Sequence, residues 1–283
     1  MLKPKRLIFL LLLSTSCNTG NLKTLMDLPF DLNEVSGIAI DKSNKVIWMV
    51  NDSGNKPLLF GIDGSGKISK TIKIEAKNKD WEDLTMDPSG NLYIGDFGNN
   101  ANASKTLSIL KIAADSLKNN PKTVVPEVIR FKYPDQKKFP PKKSKRHFDC
   151  EAFFYYQDNL YLFTKSRSPK QKGKTNLYTL PTKKGNYEAT YISTFNTCEE
   201  SRCWVTSADI NAKGDKMAIL TENSVFVFSN LNTSDFFKSD YKRYTFAYDS
   251  QKESVTFKND SILYIADEYL GVSGGNLYSF KID

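Results

Sequence analysis

The chain has 283 residues, of which 40% are hydrophobic and 12% aromatic, and a formal net charge of +8. That length suits a single closed all-β repeat with its own core, and the abundance of Tyr, Phe, Val and Ile favours strands, while no long stretch carries helical periodicity. The charge excess is local and no recognised nucleic-acid module accompanies it, so nucleic acid is excluded as a partner.

The N-terminus has a basic start (Lys3, Lys5, Arg6), an apolar core from Leu7 to Leu13, and then Ser14-Thr15-Ser16-Cys17. This is a secretory signal, too short for a stable membrane span. Small residues directly before Cys17 resemble a bacterial lipobox, although Ser14 stands where Leu is usual; ordinary signal cleavage nearby is the alternative. On the lipobox reading residues 1–17 are removed or lipidated at Cys17, residues 18–24 are a tether, and residues 25–283 form one domain. The protein is then a lipoprotein of a bacterial cell envelope, facing periplasm or exterior, and a monomer. Export implies an oxidising compartment. Cys198 and Cys203 bracket four residues, a spacing that allows a local disulfide, and Cys150 reads as a buried free thiol.

A short motif recurs five times: VSGIAI at Ser36 to Ile40, WEDLTM at Glu82 to Met86, CEAFFY at Glu151 to Tyr155, TSADI at Ser207 to Ile210 and KESVTF at Glu253 to Phe257. Each copy is a Ser or Glu followed by a mostly apolar run, and the spacing of about 46 to 69 residues is that of β-propeller blades. The expected fold is a five-bladed β-propeller of four-stranded antiparallel blades. Blade one takes residues 37–40, 46–50, 58–62 and 68–74, and blade two 84–86, 92–94, 107–112 and 128–133. Blade three takes 152–156, 160–164, 176–180 and 190–195, and blade four 207–210, 216–220, 225–228 and 242–247. Blade five has only 254–257, 262–266 and 276–280, so the stretch from Leu25 to Phe30 is expected to close the ring as its outer strand. A sixth, degenerate blade between Ala101 and His147 is the alternative. Turns rich in Asp, Asn, Ser and Gly, such as Asp87-Pro88-Ser89-Gly90-Asn91, separate the strands.

In a propeller the start of each inner strand and the end of each second strand share one face around the channel. An inner ring of Ser36, Glu82, Glu151, Ser207 and Glu253 is expected there, surrounded by Asn51, Asp52, Asp96, Asn99, Lys165, Arg167, Glu222, Asp267 and Glu268. Carboxylates crowded on one axis repel. An all-oxygen set suits Ca²⁺ and suits zinc or copper poorly; the alternative is a ring that holds water and stabilises backbone hydrogen bonds.

The order Ser, Glu, Glu, Ser, Glu at these five positions, with Glu34-Val35-Ser36, Asp52-Ser53-Gly54 and Gly95-Asp96-Phe97-Gly98, resembles the five-bladed calcium-activated nucleotidases (apyrases). The chain is also similar to bacterial SdiA-regulated or phytase-like propellers. The resemblance implies a central calcium on Ser36, Glu82, Glu151, Ser207 and Glu253 and hydrolysis of a phosphate ester or anhydride. Asp52 or Asp96 would then position or deprotonate water, with Lys165 and Arg167 holding an anionic small molecule. For Lys165 a salt bridge to Glu151 or Asp149 is the competing reading, and for the whole site a surface module that binds a ligand without chemistry.

The run from Lys137 to His147 holds six Lys or Arg and reads as a solvated loop or as a patch for anions. His147, the sole histidine, is expected at the surface of that loop, so no Ser-His-Asp set and no zinc spacing is assembled. Asp209 aligns in the motif with Ile38, Leu84, Phe153 and Val255, a core-facing position where a carboxylate needs a partner. Trp48, Trp81, Tyr93, Phe97 and Tyr269 could stack on a base or pack between blades.

Overall fold

A computed structural model describes residues 21–41, 45–199, 202–231 and 233–283. The signal segment, Cys17 and residues 18–20 of the tether lie outside the described residues. The chain forms five sheets around one axis, each built on four antiparallel strands, and two of them gain a fifth, parallel strand at the outer edge. In chain order the strands are β1 (Lys23–Asp27), β2 (Val35–Ile40), β3 (Ile47–Asn51), β4 (Leu58–Ile62), β5 (Ile68–Ile74), β6 (Trp81–Met86), β7 (Leu92–Asp96), β8 (Leu107–Ile112), β9 (Thr123–Val124), β10 (Glu127–Lys132) and β11 (Asp149–Tyr156). They continue as β12 (Asn159–Lys165), β13 (Lys174–Pro181), β14 (Gly185–Glu188), β15 (Thr190–Asn196), β16 (Val205–Ile210), β17 (Lys216–Thr221), β18 (Ser224–Ser229), β19 (Asp240–Thr245), β20 (Lys252–Asn259), β21 (Ile262–Asp267) and β22 (Asn276–Lys281).

The blades are β2-β3-β4-β5, β6-β7-β8-β10, β11-β12-β13-β15, β16-β17-β18-β19 and β20-β21-β22-β1. Strand β1 supplies the missing outer strand of blade five, pairing antiparallel with β22 from Lys23↔Ser279 to Asp27↔Asn276. It begins and ends earlier than the expected Leu25 to Phe30, and Phe30–Leu32 is a 3-10 turn that leads into β2. The stretch proposed for a sixth blade is divided instead: β8 and β10 belong to blade two, and β9 crosses to blade one, where it pairs parallel with β5. Strand β14 does the same from blade three to β10. Two neighbouring blade pairs are thereby laced together at their outer edges, which also covers edges that would otherwise be open.

Alternating apolar residues face the neighbouring blade, so the core is five slabs rather than one ball. Leu84, Ile94 and Leu110 of blade two meet Trp48, Val50 and Leu59 of blade one, for instance, and Phe154, Tyr161 and Phe163 of blade three meet Met217, Phe226 and Phe228 of blade four. Trp48, Trp81, Tyr93 and Phe97 are all buried in such slabs and are packing residues, whereas Tyr269 is exposed.

The inner strands come very close near the axis. A Cβ on Gly37 would lie 2.6 Å from the Leu84 nitrogen of the next blade, which only glycine permits. Gly37→Ala is expected to cost about 1–3 kcal/mol in chemical denaturation. Gly64→Ala, where a Cβ meets nothing within 4 Å, should stay within about 0.5 kcal/mol of wild type.

Candidate metal site at the channel mouth

Each inner strand carries a bulge near its start, and the bulge defines which residue leads each repeat. Pairing skips Ser36 between Val35↔Asn51 and Gly37↔Val50, and it skips Glu82, Glu151 and Glu253 in the same way. In blade four it skips Thr206, because Val205 pairs with Thr221 and Ser207 with Leu220. The ring is therefore Ser36, Glu82, Glu151, Thr206 and Glu253, and the expected Ser207 is displaced from it by one residue. Hydrogen bonding makes the same equivalence: Ser36 Oγ donates to the Trp81 carbonyl at 2.7 Å and Thr206 Oγ1 to the Lys252 carbonyl at 2.8 Å. In both cases the acceptor is the residue before the next blade's ring glutamate.

Ser207 lies one layer deeper, beside Asp83. The Asp83 carboxylate accepts from Leu84 N at 2.9 Å, Phe153 N at 3.1 Å and Ser207 Oγ at 3.2 Å, and Ser207 Oγ accepts from Val255 N at 3.0 Å. Blades two and four are not neighbours, so the Asp83–Ser207 bond spans the axis and closes the channel. Burial, above all, pushes the Asp83 carboxyl well above the usual carboxylate range. Asp209 sits two residues beyond Ser207, and the corrected register aligns it with Ala39, Thr85, Phe154 and Thr256 rather than with Ile38, Leu84, Phe153 and Val255. Its Oδ2 accepts from Thr256 Oγ1 at 2.9 Å and Phe257 N at 2.8 Å, so its partners are neutral donors of the next blade.

Around the mouth the charges are unevenly paired. Lys165 Nζ lies 2.9 Å from Glu151 Oε2, and Arg167 bridges Glu151 Oε1 at 2.9 Å and the Asp149 carboxylate. Glu151 is buried, which favours its neutral form, but the two cations outweigh that and hold its carboxyl below the usual value. Lys165 is thus committed to the salt bridge that competed with an anion-binding role. Asp96 is also turned inward. It accepts from Lys79 N at 3.1 Å, Asp80 N at 3.2 Å and Ser108 Oγ at 3.0 Å. Thr164, Thr221 and Asp267 stand at the corresponding second-strand ends and accept from Asn176 N, Ser224 N and Asn276 N, so this position ties down the local turn in several blades.

Asp52 is different: with Asp80 and Glu82 it forms a group whose carboxylate oxygens lie within 4.8 Å of one another, and among the described residues none of the three has a salt bridge. Asp52 stands in the turn after β3, Asp80 just before β6, and Glu82 on the β6 bulge. Burial raises all three carboxyls, Asp52 to about 6 and Glu82 well above its usual value, and the neighbouring carboxylates push the same way. Glu253 is raised to about 7 and Glu268 to about 8, again first by burial and then by nearby carboxylates. Three clustered carboxylates on two adjacent blades match the oxygen chemistry of Ca²⁺. The expected axial set of Ser36, Glu82, Glu151, Ser207 and Glu253 fits less well, since Glu151 already has two cations and Ser207 is spent on Asp83 and Val255. Asp80 carried no signal in the repeat, because it precedes the strand.

Beside Lys165 and Arg167 stands Trp204, with both cations and Lys172 within 5.7 Å of its ring centroid. Cys198 and Cys203 are joined by a disulfide just before it, and Cys150 is free and buried. His147 is not at the surface: Arg167 N donates to the Arg146 carbonyl, which draws the end of the basic loop under cover. His147 Nδ1 bonds Ser166 Oγ at 2.8 Å, and burial lowers its pKa to about 4. Ser166 is itself fully buried, so the pair is out of reach of a substrate.

No family model matches the sequence, and no curated protein matches it. Among solved structures, similar folds include the β-propeller domain of Cps50 (Swd1) from Myceliophthora thermophila (8% identity, TM-score 0.47, 93% of this chain and 100% of that one). They include a gluconolactonase of Xanthomonas campestris (11%, 0.46, 89% and 73%) and the virginiamycin B lyase of Staphylococcus aureus (14%, 0.43, 90% and 69%). At these identities and scores the likeness carries no activity over to this chain.

Two outcomes follow for the mouth. Lys165→Met leaves buried Glu151 one cation short and is expected to cost about 3 kcal/mol in chemical denaturation, with Glu151→Gln recovering part of the loss in the double variant. The pH response has a defined sign. Folded Glu253 and Glu268 keep protons that the unfolded chain releases near pH 4 to 5, so the folded state binds more protons and stability falls as pH rises from about 5 to 8. Thermal unfolding in chelator should show that decline, and Glu268→Gln should flatten it.

Proposed function

We propose that the mouth binds a divalent cation, Ca²⁺, on Asp52, Asp80 and Glu82, and that the protein uses this site on a phosphate ester or anhydride at the bacterial cell surface. The observation that carries the reading is the uneven pairing: two cations are present nearby, yet both serve Glu151 and Asp149, and the Asp52, Asp80 and Glu82 carboxylates crowd together without one. A bound Ca²⁺ would supply charge neutralisation for phosphate oxygens. Asp52, in the turn after β3, would position a water that attacks phosphorus and accept its proton as the bond to the leaving-group oxygen breaks. Trp204 stands beside Lys165 and Arg167 with Lys172 over its ring, and this cluster of cations would favour an anionic ligand. The leader ending in Cys17 supports export and lipid attachment, and hence a cell-envelope location.

A non-catalytic binding module is the second reading, favoured by the inward commitment of Asp96 and Lys165. Thermal unfolding with Ca²⁺ or chelator, paired with phosphate release from nucleoside triphosphates and p-nitrophenyl phosphate, separates the two. The proposal expects the midpoint to rise with Ca²⁺, equivalent to about 2.7 kcal/mol at a hundredfold excess over Kd, and the rise to vanish in Asp80→Asn. It also expects Ca²⁺-dependent phosphate release that Asp52→Asn lowers at least about a hundredfold. Calcium stabilisation without release leaves the binding module, and no response to calcium removes both.

A further inference from the structure

The channel has a second mouth, where the inner strands end, and it opens into a cavity of about 610 Å³. That volume lies in the range of small-molecule sites. Asp83, reaching across the axis to Ser207, separates this cavity from the acidic mouth, so the two ends do not share a ligand. The wall is largely apolar: Ile40, Met86, Tyr155, Tyr156, Ile210 and Phe257 line it. Five of these, Ile40, Met86, Tyr155, Ile210 and Phe257, follow the bulges of their strands by the same number of residues, so every blade contributes one apolar side chain to the collar.

The charged groups at this mouth are almost all acidic. Asp41 and Asp87 face inward to their own turns, Asp41 accepting from Lys45 N and Val46 N, and Asp87 from Ser89 N, Asn91 and the Tyr93 hydroxyl. Lys258 also borders the cavity, but its ammonium lies 5.7 Å from the Tyr264 ring centroid. Asp209 remains. It is partly exposed at the cavity wall, its hydrogen-bond donors are neutral, and among the described residues it has no salt bridge. Burial in this wall holds its carboxyl at about 6, so at pH 7.5 it is mostly ionised and lacks a counter-charge.

We propose that this second mouth is a ligand site for an organic ammonium ion with an apolar or aromatic body, the ammonium set against Asp209 and the body against the collar. An aromatic and aliphatic wall that also presents a carboxylate is the recurrent chemistry for such a cation, because the aromatic rings attract the charge as well as the carbon skeleton. An anion is disfavoured by Asp209, and a purely apolar ligand would leave that carboxylate buried without compensation.

The test is calorimetric titration at pH 7.5 with 2-phenylethylamine and with the neutral 2-phenylethanol. The proposal expects saturable binding of the amine, at least about tenfold tighter than the alcohol, and an equal loss in Asp209→Asn. Because Asp209 also holds Phe257 N, Ile210→Trp is made in parallel; it sets an indole in the collar next to Asp209, at a half-buried position, and should weaken amine binding at least about tenfold while Asp209 is unchanged. Equal affinities for amine and alcohol, no binding of either, or amine binding untouched by both variants would overturn the proposal.

Discussion

An inner strand of a closed ring has one edge paired with its own blade and the other facing the axis, where no further strand fits. Its amides and carbonyls must be satisfied by something else, since a buried unpaired backbone group is expensive. Here side chains of the preceding blade do it. Asp83 reaches Phe153 N, Thr85 Oγ1 reaches Tyr155 N, Ser207 Oγ reaches Val255 N and Asp209 reaches Phe257 N, while Ser36 and Thr206 cap carbonyls at the head of the next strand. These bonds bring polar residues to the axis for structural reasons, before any function is asked of them. They also fix the spacing between blades so closely that Gly37 admits no Cβ.

Against that background the acidic mouth stands out. Ser36 and Thr206 meet the capping requirement with hydroxyls, but blades two, three and five place glutamates at the equivalent bulge. Only Glu151 receives cations, from Lys165 and Arg167. Of the others, Glu253 stands with Glu268 in blade five, while on the side of blades one and two Asp52 and Asp80 approach Glu82, and the raised carboxyls are the physical mark of that crowding. A hard cation at this place relieves the repulsion without adding bulk, which is the reason for the functional proposal. The opposite mouth has the complementary character, an apolar collar with Asp209 in its wall, and Asp83 keeps the two apart.

The blade count, most strand positions and the closing role of the segment before β2 were legible in the sequence, because alternating apolar runs and turn residues repeat at blade spacing. What the repeat could not resolve was register. TSADI aligns with VSGIAI by its serine, yet the bulge falls on Thr206, and a shift of one residue exchanges the faces of a strand. An apolar residue stands before the bulge residue in four of the five blades, Val35, Trp81, Cys150 and Val205, with Lys252 in the fifth, and that was the available signal. Asp80 could not be found from the repeat, since its position is set by the loop that Asp96 pins through Lys79 N and Asp80 N. For the same reason Asp96 looked catalytic: nothing in a linear motif tells a carboxylate aimed at a ligand from one aimed at its own backbone. The parallel strands β9 and β14 escaped notice because two-to-four-residue edge additions carry too little periodicity to register.

The central claim is that the mouth holds a cation on Asp52, Asp80 and Glu82. Crystals grown with Ca²⁺, or with Tb³⁺ as its strongly scattering substitute, test it most directly by the position of the anomalous peak. The account predicts one peak within coordination distance of those three carboxylates, absent from crystals of Asp80→Asn. A peak on the axis among Ser36, Thr206 and Glu253, or no peak at the mouth at all, would contradict it.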